Sequence, residues 1–273
     1  MASVASEFPA DVPDLPELVS EVREGDLVWL TIHRPEVMNC LSFPTLRRLR
    51  TLCEALRGDL SIRAILITGA GDKAFCAGAD LKERKTMPAA RVPEFVRNIR
   101  RTMDDVAALP QPTIAVVNGF AFGGGTELLL ACDLRVAAAH AQFGLTETTL
   151  AIVPGAGGTQ RLPRLVGKSR AKDLILTGRK IDAVEAERIG LVNRVAAEGK
   201  LRETALAIAQ QIADNGPVAV RAAKAAIDEG CEKPLPQGLE VEAQCYERVL
   251  ATKDRLEALA AFAEKRKPRY TGL

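Results

Sequence analysis

The sequence predicts an α/β fold with a helical C-terminal region, and three observations carry that reading. Between residues 27 and 138, short apolar runs of strand length alternate with segments whose apolar residues recur at helical spacing. After about residue 196 no strand-like run appears, and four amphipathic segments follow one another. The chain has 273 residues, 47% hydrophobic and 26% charged, the profile of a soluble globular protein able to bury a real core. The expected organisation is a frayed tail over 1–20, an α/β core over 21–196 and a helical region over 197–273.

The elements follow in order. Residues 1–20 combine Pro9, Pro13 and Pro16 with Glu7, Asp11, Asp14 and Glu17, which predicts the tail. Leu27–Ile32 (LVWLTI) reads as a strand closed by Arg34–Pro35. Phe43–Leu56 reads as a helix, with Leu46, Leu49, Leu52 and Leu56 on one face. Arg63–Thr68 is a short buried strand ended by Gly69 and Gly71, and a loop then carries Phe75–Glu83 (FCAGADLKE). Val92–Leu109 is a helix stopped by Pro110 and Pro112. Thr113–Val117 is a second buried strand, Gly123–Gly125 lead into a helix over Thr126–Ala131, and Leu134–Ala138 is a strand again. The late helices are Leu201–Ala213, Pro217–Asp228, Leu239–Leu250 and Thr252–Lys265, with Pro234 and Pro236 separating two of them.

Composition removes several function classes. A formal charge of +2, from 37 basic and 35 acidic residues, gives no bulk attraction to nucleic acid or membrane. The six cysteines include no CxxC pair and several lie in apolar stretches, so they read as reduced, buried thiols. The first twenty residues lack both the apolar stretch of a signal peptide and the arginines of a transit peptide, and no apolar run would span a membrane. The simplest address is the cytoplasm of a bacterium. The two histidines, His33 and His140, sit in no carboxylate-rich or glycine-rich setting. That argues against a Ser-His-Asp or Cys-His enzyme and against a metal site.

What remains is two carboxylates and backbone donors. Glu127 and Glu147 are each framed by glycine-rich turns, within Asn118–Leu128 (NGFAFGGGTEL) and Phe143–Arg161. The stretch GFAFGGG lacks the spacing of a dinucleotide fingerprint. A helix N-terminus with unsatisfied N–H groups facing an anionic oxygen explains it better. A close backbone crossing would demand the same glycines, and an acid in a first helical turn also stabilises the helix dipole. Read together, Glu127 and Glu147 form a candidate acid–base pair, and the N–H groups near Ala79 and Gly124 form a candidate oxyanion hole.

At these residues the chain resembles the crotonase family, the enoyl-CoA hydratase/isomerase superfamily. The resemblance runs from about Leu27 to the C-terminus. It is carried by HRPEVMNCLS at 33–42, FCAGADLKE, NGFAFGGGTELLLACD, FGLTETTLAIVPGAGGTQRLPR, GPVAVRAAK at 216–224 and KDRLEALAAFAEKRKPRY at 253–270. It implies a crotonase fold: a spiral core of repeated ββα turns and a helical C-terminal region used in trimerisation. The implied ligand is an acyl-coenzyme A thioester, with no cofactor beyond the coenzyme A of the substrate. Ala79 and Gly124 would bind the thioester oxygen. Ala77, Ala79, Asp80 and Leu81 would bind coenzyme A, with Phe262 and Lys265 reaching it from a neighbouring subunit. Both acids are present, as in hydratases of the family, so the implied reaction is addition or removal of water. In hydration Glu147 would protonate the α-carbon and Glu127 would activate water. Thr146 and Cys40 depart from the usual Pro and Ala.

DLKER at 80–84 and the C-terminal KDRLEAL and EKRKPRY most resemble the methylglutaconyl-CoA hydratase branch. Such a substrate carries a distal carboxylate that needs a cation, and Lys82, Arg84, Lys85, Arg97 and Arg101 are the candidates, Arg97 first. A broad-specificity enoyl-CoA hydratase is the first rival reading. An RNA-binding protein is the second, with Lys82, Arg84, Lys85, Arg91, Arg97, Arg100 and Arg101 as its footprint.

Overall fold

The computed structural model describes residues 8–273. Among these residues ten strands form two sheets: β1 (Val19–Glu24), β2 (Leu27–Ile32), β3 (Ala64–Gly69), β4 (Ala74–Cys76), β5 (Thr113–Val117), β6 (Phe120–Phe122), β7 (Leu134–Ala138), β8 (Gln142–Gly144), β9 (Ile181–Asp182) and β10 (Arg194–Ala196). The larger sheet runs β1-β2-β3-β5-β7-β10 and the smaller β4-β6-β8-β9. Among the described strands only the β1–β2 and β8–β9 pairs are antiparallel.

Each of β3, β5 and β7 is followed within a few residues by a short strand of the smaller sheet. After the short strands come helices: α1 (Phe43–Arg57) fills the β2–β3 connection, α2 (Leu81–Thr86) and α3 (Val92–Ala107) follow β4, and α4 (Gly124–Ala131) follows β6. This is the repeated ββα spiral that the resemblance implied. Beyond β8 lie α5 (Gly158–Val166), α6 (Lys168–Thr177) and α7 (Ala183–Arg188). The late helices are α8 (Leu201–Ala213), α9 (Pro217–Gly230), α10 (Leu235–Leu250) and α11 (Lys253–Ala263).

The continuous apolar runs have a simple cause. The larger sheet is covered on both faces, so its strands need no polar side. Leu30, Ile32, Ile65, Ile67 and Val117 pack with the leucines of α1 and with Phe95 and Met103 of α3. On the other face Leu27, Trp29, Leu66, Ile114 and Val116 meet Ala205 and Ala209 of α8.

Three expectations need correction. The tail over 1–20 is too long: Phe8 and Val12 are buried, Phe8 meets the Phe43 ring edge-on at 6.4 Å, and β1 begins at Val19. Single apolar residues set among acids and prolines show no periodicity, so only tertiary burial reveals them. Residues 1–7 of that tail lie outside the described residues. The loop read over Phe75–Glu83 contains the end of β4 and the start of α2, whose N-cap is Asp80. Finally, α10 starts at Leu235 and includes Pro236, because a proline in the first helical turn removes an N–H that has no partner anyway. Strands β6, β8, β9 and β10 are two or three residues long, too short to show a period in sequence.

Among the described cysteines all six are free, with Cys53, Cys76, Cys132 and Cys245 buried, Cys40 half-buried and Cys231 exposed.

Candidate active site

A cleft of about 500 Å³ opens where the first turns of the spiral meet the segment after β8. It is lined by Ala77–Ala79 and Leu81, by Gly123, Gly124 and Glu127, by Thr146 and Glu147, and by Val96 and Ile99 of α3. Segments 77–81, 123–127 and 146–147, far apart in sequence, thus share one wall-to-wall space.

The backbone between Cys76 and Asp80 is clamped from outside. The Leu41 N–H donates to Gly78 O and the Asp80 N–H to Leu41 O, a parallel bridge to residue 41. The Arg34 guanidinium donates to Cys40 O at 2.7 Å and to Asp80 Oδ2 at 2.8 Å. Asp80 Oδ1 accepts from the N–H groups of Lys82 and Glu83, starting α2. The Arg34 guanidinium and these N–H groups hold the Asp80 carboxyl below the usual carboxylate range, against the opposing effect of burial. The turn then packs against the start of α4 at backbone distance. A Cβ on Gly78 (φ +94°) would stand 2.8 Å from Phe122 O, and one on Gly125 would overlap Cys76 O. Only glycine allows this approach.

The result is a pair of inward amides. A Cβ on Gly124 would lie 3.6 Å from the Ala79 nitrogen, so the two donors are neighbours. Among the described residues neither the Ala79 nor the Gly124 N–H donates to a protein acceptor. Two free N–H groups side by side, one at a helix N-terminus, suit a carbonyl oxygen gaining negative charge.

Glu127 sits in the first turn of α4 and is 3% exposed. Its Oε1 accepts from the N–H groups of Ala156 and Gly158, both at 2.8 Å. Burial raises its pKa, opposed by those two N–H groups and by Arg161. Glu147 opens a 3₁₀ turn, Glu147–Leu150, held to α6 by the Thr148 hydroxyl donating to Ile175 O at 2.7 Å. Its Oε2 is buried and has no hydrogen-bond partner among the described residues. Desolvation, with a further push from Glu127, raises its pKa to about 7. A carboxyl that keeps its proton up to about pH 7 can donate it, and one held by two amides is better able to ionise and accept one.

Other sequence-selected residues lie elsewhere. Ala77, Ala79 and Leu81 line the cleft, whereas the Asp80 side chain is turned to the helix cap and Arg34. Phe262 and Lys265 do not line the cleft of their own chain, and Phe262 is 86% exposed. Among the five basic candidates Arg84 alone lines the cleft. Arg97, the first choice from sequence, is exposed and points away, because α3 turns Val96 and Ile99 to the cleft and Arg97 to solvent. Arg84 has no acidic partner among the described residues. The basic footprint is not one free face either: Arg91 grips Asp11 with two hydrogen bonds and Arg100 lies 3.9 Å from Asp104. Sequence reading missed Ala156 and Gly158, whose amides hold Glu127. The signal was the PGAGG turn, whose contact with α4 no local pattern records. Among the described residues no three His, Cys, Asp or Glu side chains cluster to hold a metal ion, and no helix is long and apolar enough to cross a membrane.

Comparison with known proteins identifies the family. The family description "Enoyl-CoA hydratase/isomerase" matches residues 23–272. A probable enoyl-CoA hydratase 2, mitochondrial, of Arabidopsis thaliana is 51% identical over 91% of this chain and 83% of its own length. The mitochondrial methylglutaconyl-CoA hydratase of Mus musculus is 48% identical over 92% of this chain and 82% of its own. The crystal structure of an enoyl-CoA hydratase from Bacillus anthracis superposes with a TM-score of 0.92 at 52% identity, covering 94% of this chain and 100% of that one. The cytoplasmic address drawn from the N-terminal composition finds no support in these relatives, two of which are named as mitochondrial.

Proposed function

The chain belongs to the enoyl-CoA hydratase/isomerase family and is a hydratase-type lyase, and from that premise we propose that its substrate is a branched enoyl-CoA with a distal carboxylate, of the 3-methylglutaconyl-CoA type. One observation carries the finer reading: in a cleft with free amides and two glutamates, Arg84 is the only basic side chain among the described residues, and it has no acid to pair with among them. A distal carboxylate entering that cleft would otherwise lose its hydration uncompensated. A guanidinium can take it with two parallel hydrogen bonds.

In hydration the thioester oxygen rests on the Ala79 and Gly124 amides, which stabilise the enolate as charge moves onto it. Glu127 takes a proton from water as the water oxygen bonds to the β-carbon. Glu147 gives its proton to the α-carbon, and the pair ends with as many protons as it began with. Dehydration to the enoyl thioester reverses each transfer. The reaction uses no cofactor beyond the coenzyme A of the substrate. We place the adenine end against the backbone of residues 77–81. Phe262 and Lys265 of a second copy complete that site in a trimer or a dimer of trimers.

The test is a steady-state comparison of methylglutaconyl-CoA with crotonyl-CoA. The wild type should prefer the former. Arg84→Met should lower kcat/KM for methylglutaconyl-CoA about 10²-fold, the scale of leaving a buried charge unpaired, and change crotonyl-CoA turnover only a few-fold. A wild type that prefers crotonyl-CoA makes the chain a broad-specificity hydratase. Equal losses on both substrates remove Arg84 from specificity.

A further inference from the structure

Glu127 is the more constrained of the two acids, and the side chain that braces its clamp lies outside the cleft. Its Oε1 is held by amides of the 154–158 turn, a glycine-rich stretch with little rigidity of its own. That turn is itself braced from the other side by an arginine. From the first turns of α5, Arg161 reaches back and donates through Nη1 to Ala156 O at 3.1 Å and through Nη2 to Asp104 Oδ1 of α3 at 2.7 Å. Gly157 has φ +106°, and a Cβ there would overlap the Arg161 guanidinium, so the turn is shaped around this arginine. Arg161 does not line the cleft.

We propose that Arg161 is a positioning residue for Glu127: it locks the turn whose amides hold that carboxylate and ties the turn to α3. The arrangement works at two levels. Mechanically, the guanidinium fixes the Ala156 carbonyl, so the Ala156 and Gly158 N–H groups stay aimed at Oε1. Electrostatically, its charge favours the ionised form of Glu127, the form that accepts a proton from water. The other titratable groups packed round Glu127 do not supply this. Glu147, from the 3₁₀ turn, opposes ionisation by like charge. Cys76 of β4, against Gly125, has a thiol pushed up to about 12 by burial and stays neutral. Asp104 of α3 is paired to Arg161 itself.

The role assigned to Glu127 rests on the proposed hydratase chemistry, so the experiment has one arm that does not. With ¹³C-carboxyl-labelled glutamate, the Glu127 resonance is identified by its loss in Glu127→Gln, and its titration midpoint is followed in the variants. Arg161→Met should raise that midpoint by about one pH unit, the scale of losing a nearby opposite charge. It should lower kcat about tenfold with KM changed only a few-fold, and move the acid limb of the pH profile up by the same interval. Arg161→Lys keeps the charge and loses one anchor, so its midpoint should return toward wild type while kcat stays depressed. Where Arg161→Met does not fold, Asp104→Ala serves: it frees the guanidinium from α3 and should lower kcat with a smaller midpoint shift. An unchanged midpoint and acid limb in folded Arg161→Met or, failing that variant, an unchanged kcat and midpoint in Asp104→Ala would overturn the proposal. A wild type that turns over no acyl-CoA would sink the hydratase reading alone, since the midpoints still report on Arg161.

Discussion

The two walls of the cleft hold the same residue type in opposite ways. On the α4 wall, Glu127 is buried in a helix, with one oxygen fixed by two amides at 2.8 Å and a guanidinium behind them. On the facing wall, Glu147 starts a 3₁₀ turn with a buried oxygen that nothing in the described protein satisfies. Burial raises both pKa values; at Glu127 two backbone N–H groups and Arg161 oppose it, whereas at Glu147 only its own backbone N–H does, and Glu127 pushes the other way. The lesson is that burial alone does not assign acid and base. The hydrogen bonds opposing it also count, and they leave one glutamate clamped by two amides and the other with a buried oxygen unpartnered among the described residues.

The strongest test removes the carboxyls one at a time. Glu127→Gln and Glu147→Gln should each lower kcat by about 10²–10⁴, the range for general acid–base groups. Near-normal turnover in either folded variant breaks the pairing. A milder perturbation acts on one wall only. A Cβ in Gly158→Ala would come within 3.0 Å of Glu127 Oε1 and 2.9 Å of Leu145, so the clamp must shift. We expect kcat to fall about tenfold to a hundredfold, in keeping with the sensitivity of catalysis to small displacements, and KM to change little. An unaffected Gly158→Ala enzyme would show that Glu127 does not need its cradle.

The pH profile sharpens the comparison. The pair must hold one proton, whichever direction is run, because the reaction consumes none overall. The alkaline limb of kcat/KM should therefore lie near pH 7, where Glu147 loses its proton, and fall at the same pH for hydration and dehydration. In Glu147→Gln, residual activity should lose that limb. The smallest expected effect is on stability. The folded pKa of Glu147 is raised to about 7 from 4.5. Its contribution is fully present below pH 4.5 and is lost as pH rises through 7. Allowing for its partial solvent contact, the wild type should lose roughly 1–3 kcal/mol relative to Glu147→Gln between pH 4 and pH 8, measurable by urea unfolding. A constant difference across that range would mean Glu147 is ionised and solvated in the folded protein.

Legibility followed the range of the interactions. The strand Leu27–Ile32, the helix beginning at Phe43 and the strands Thr113–Val117 and Leu134–Ala138 match their expected bounds, because periodicity and proline or glycine stops are written locally. The short strands of the smaller sheet were not legible, since two or three residues carry no period. Phe8 and Val12 were not legible because burial of isolated residues is a tertiary fact.

The sequence by itself determined which groups could do chemistry: two carboxylates in apolar, glycine-framed segments, amides beside Ala79 and Gly124, and too few histidines and paired cysteines for the alternatives. It did so because residue type, glycine placement and helix starts are local properties. Only the tertiary structure decided what each group does. Glu127 and Glu147 differ because the amides of residues 156 and 158 reach one, while Oε2 of the other is buried with no partner among the described residues. Arg84 rather than Arg97 faces the cleft because of how α2 and α3 are rotated against it. Proton affinity and orientation depend on which neighbours the fold brings within about 3 Å, and no local pattern in the chain records them.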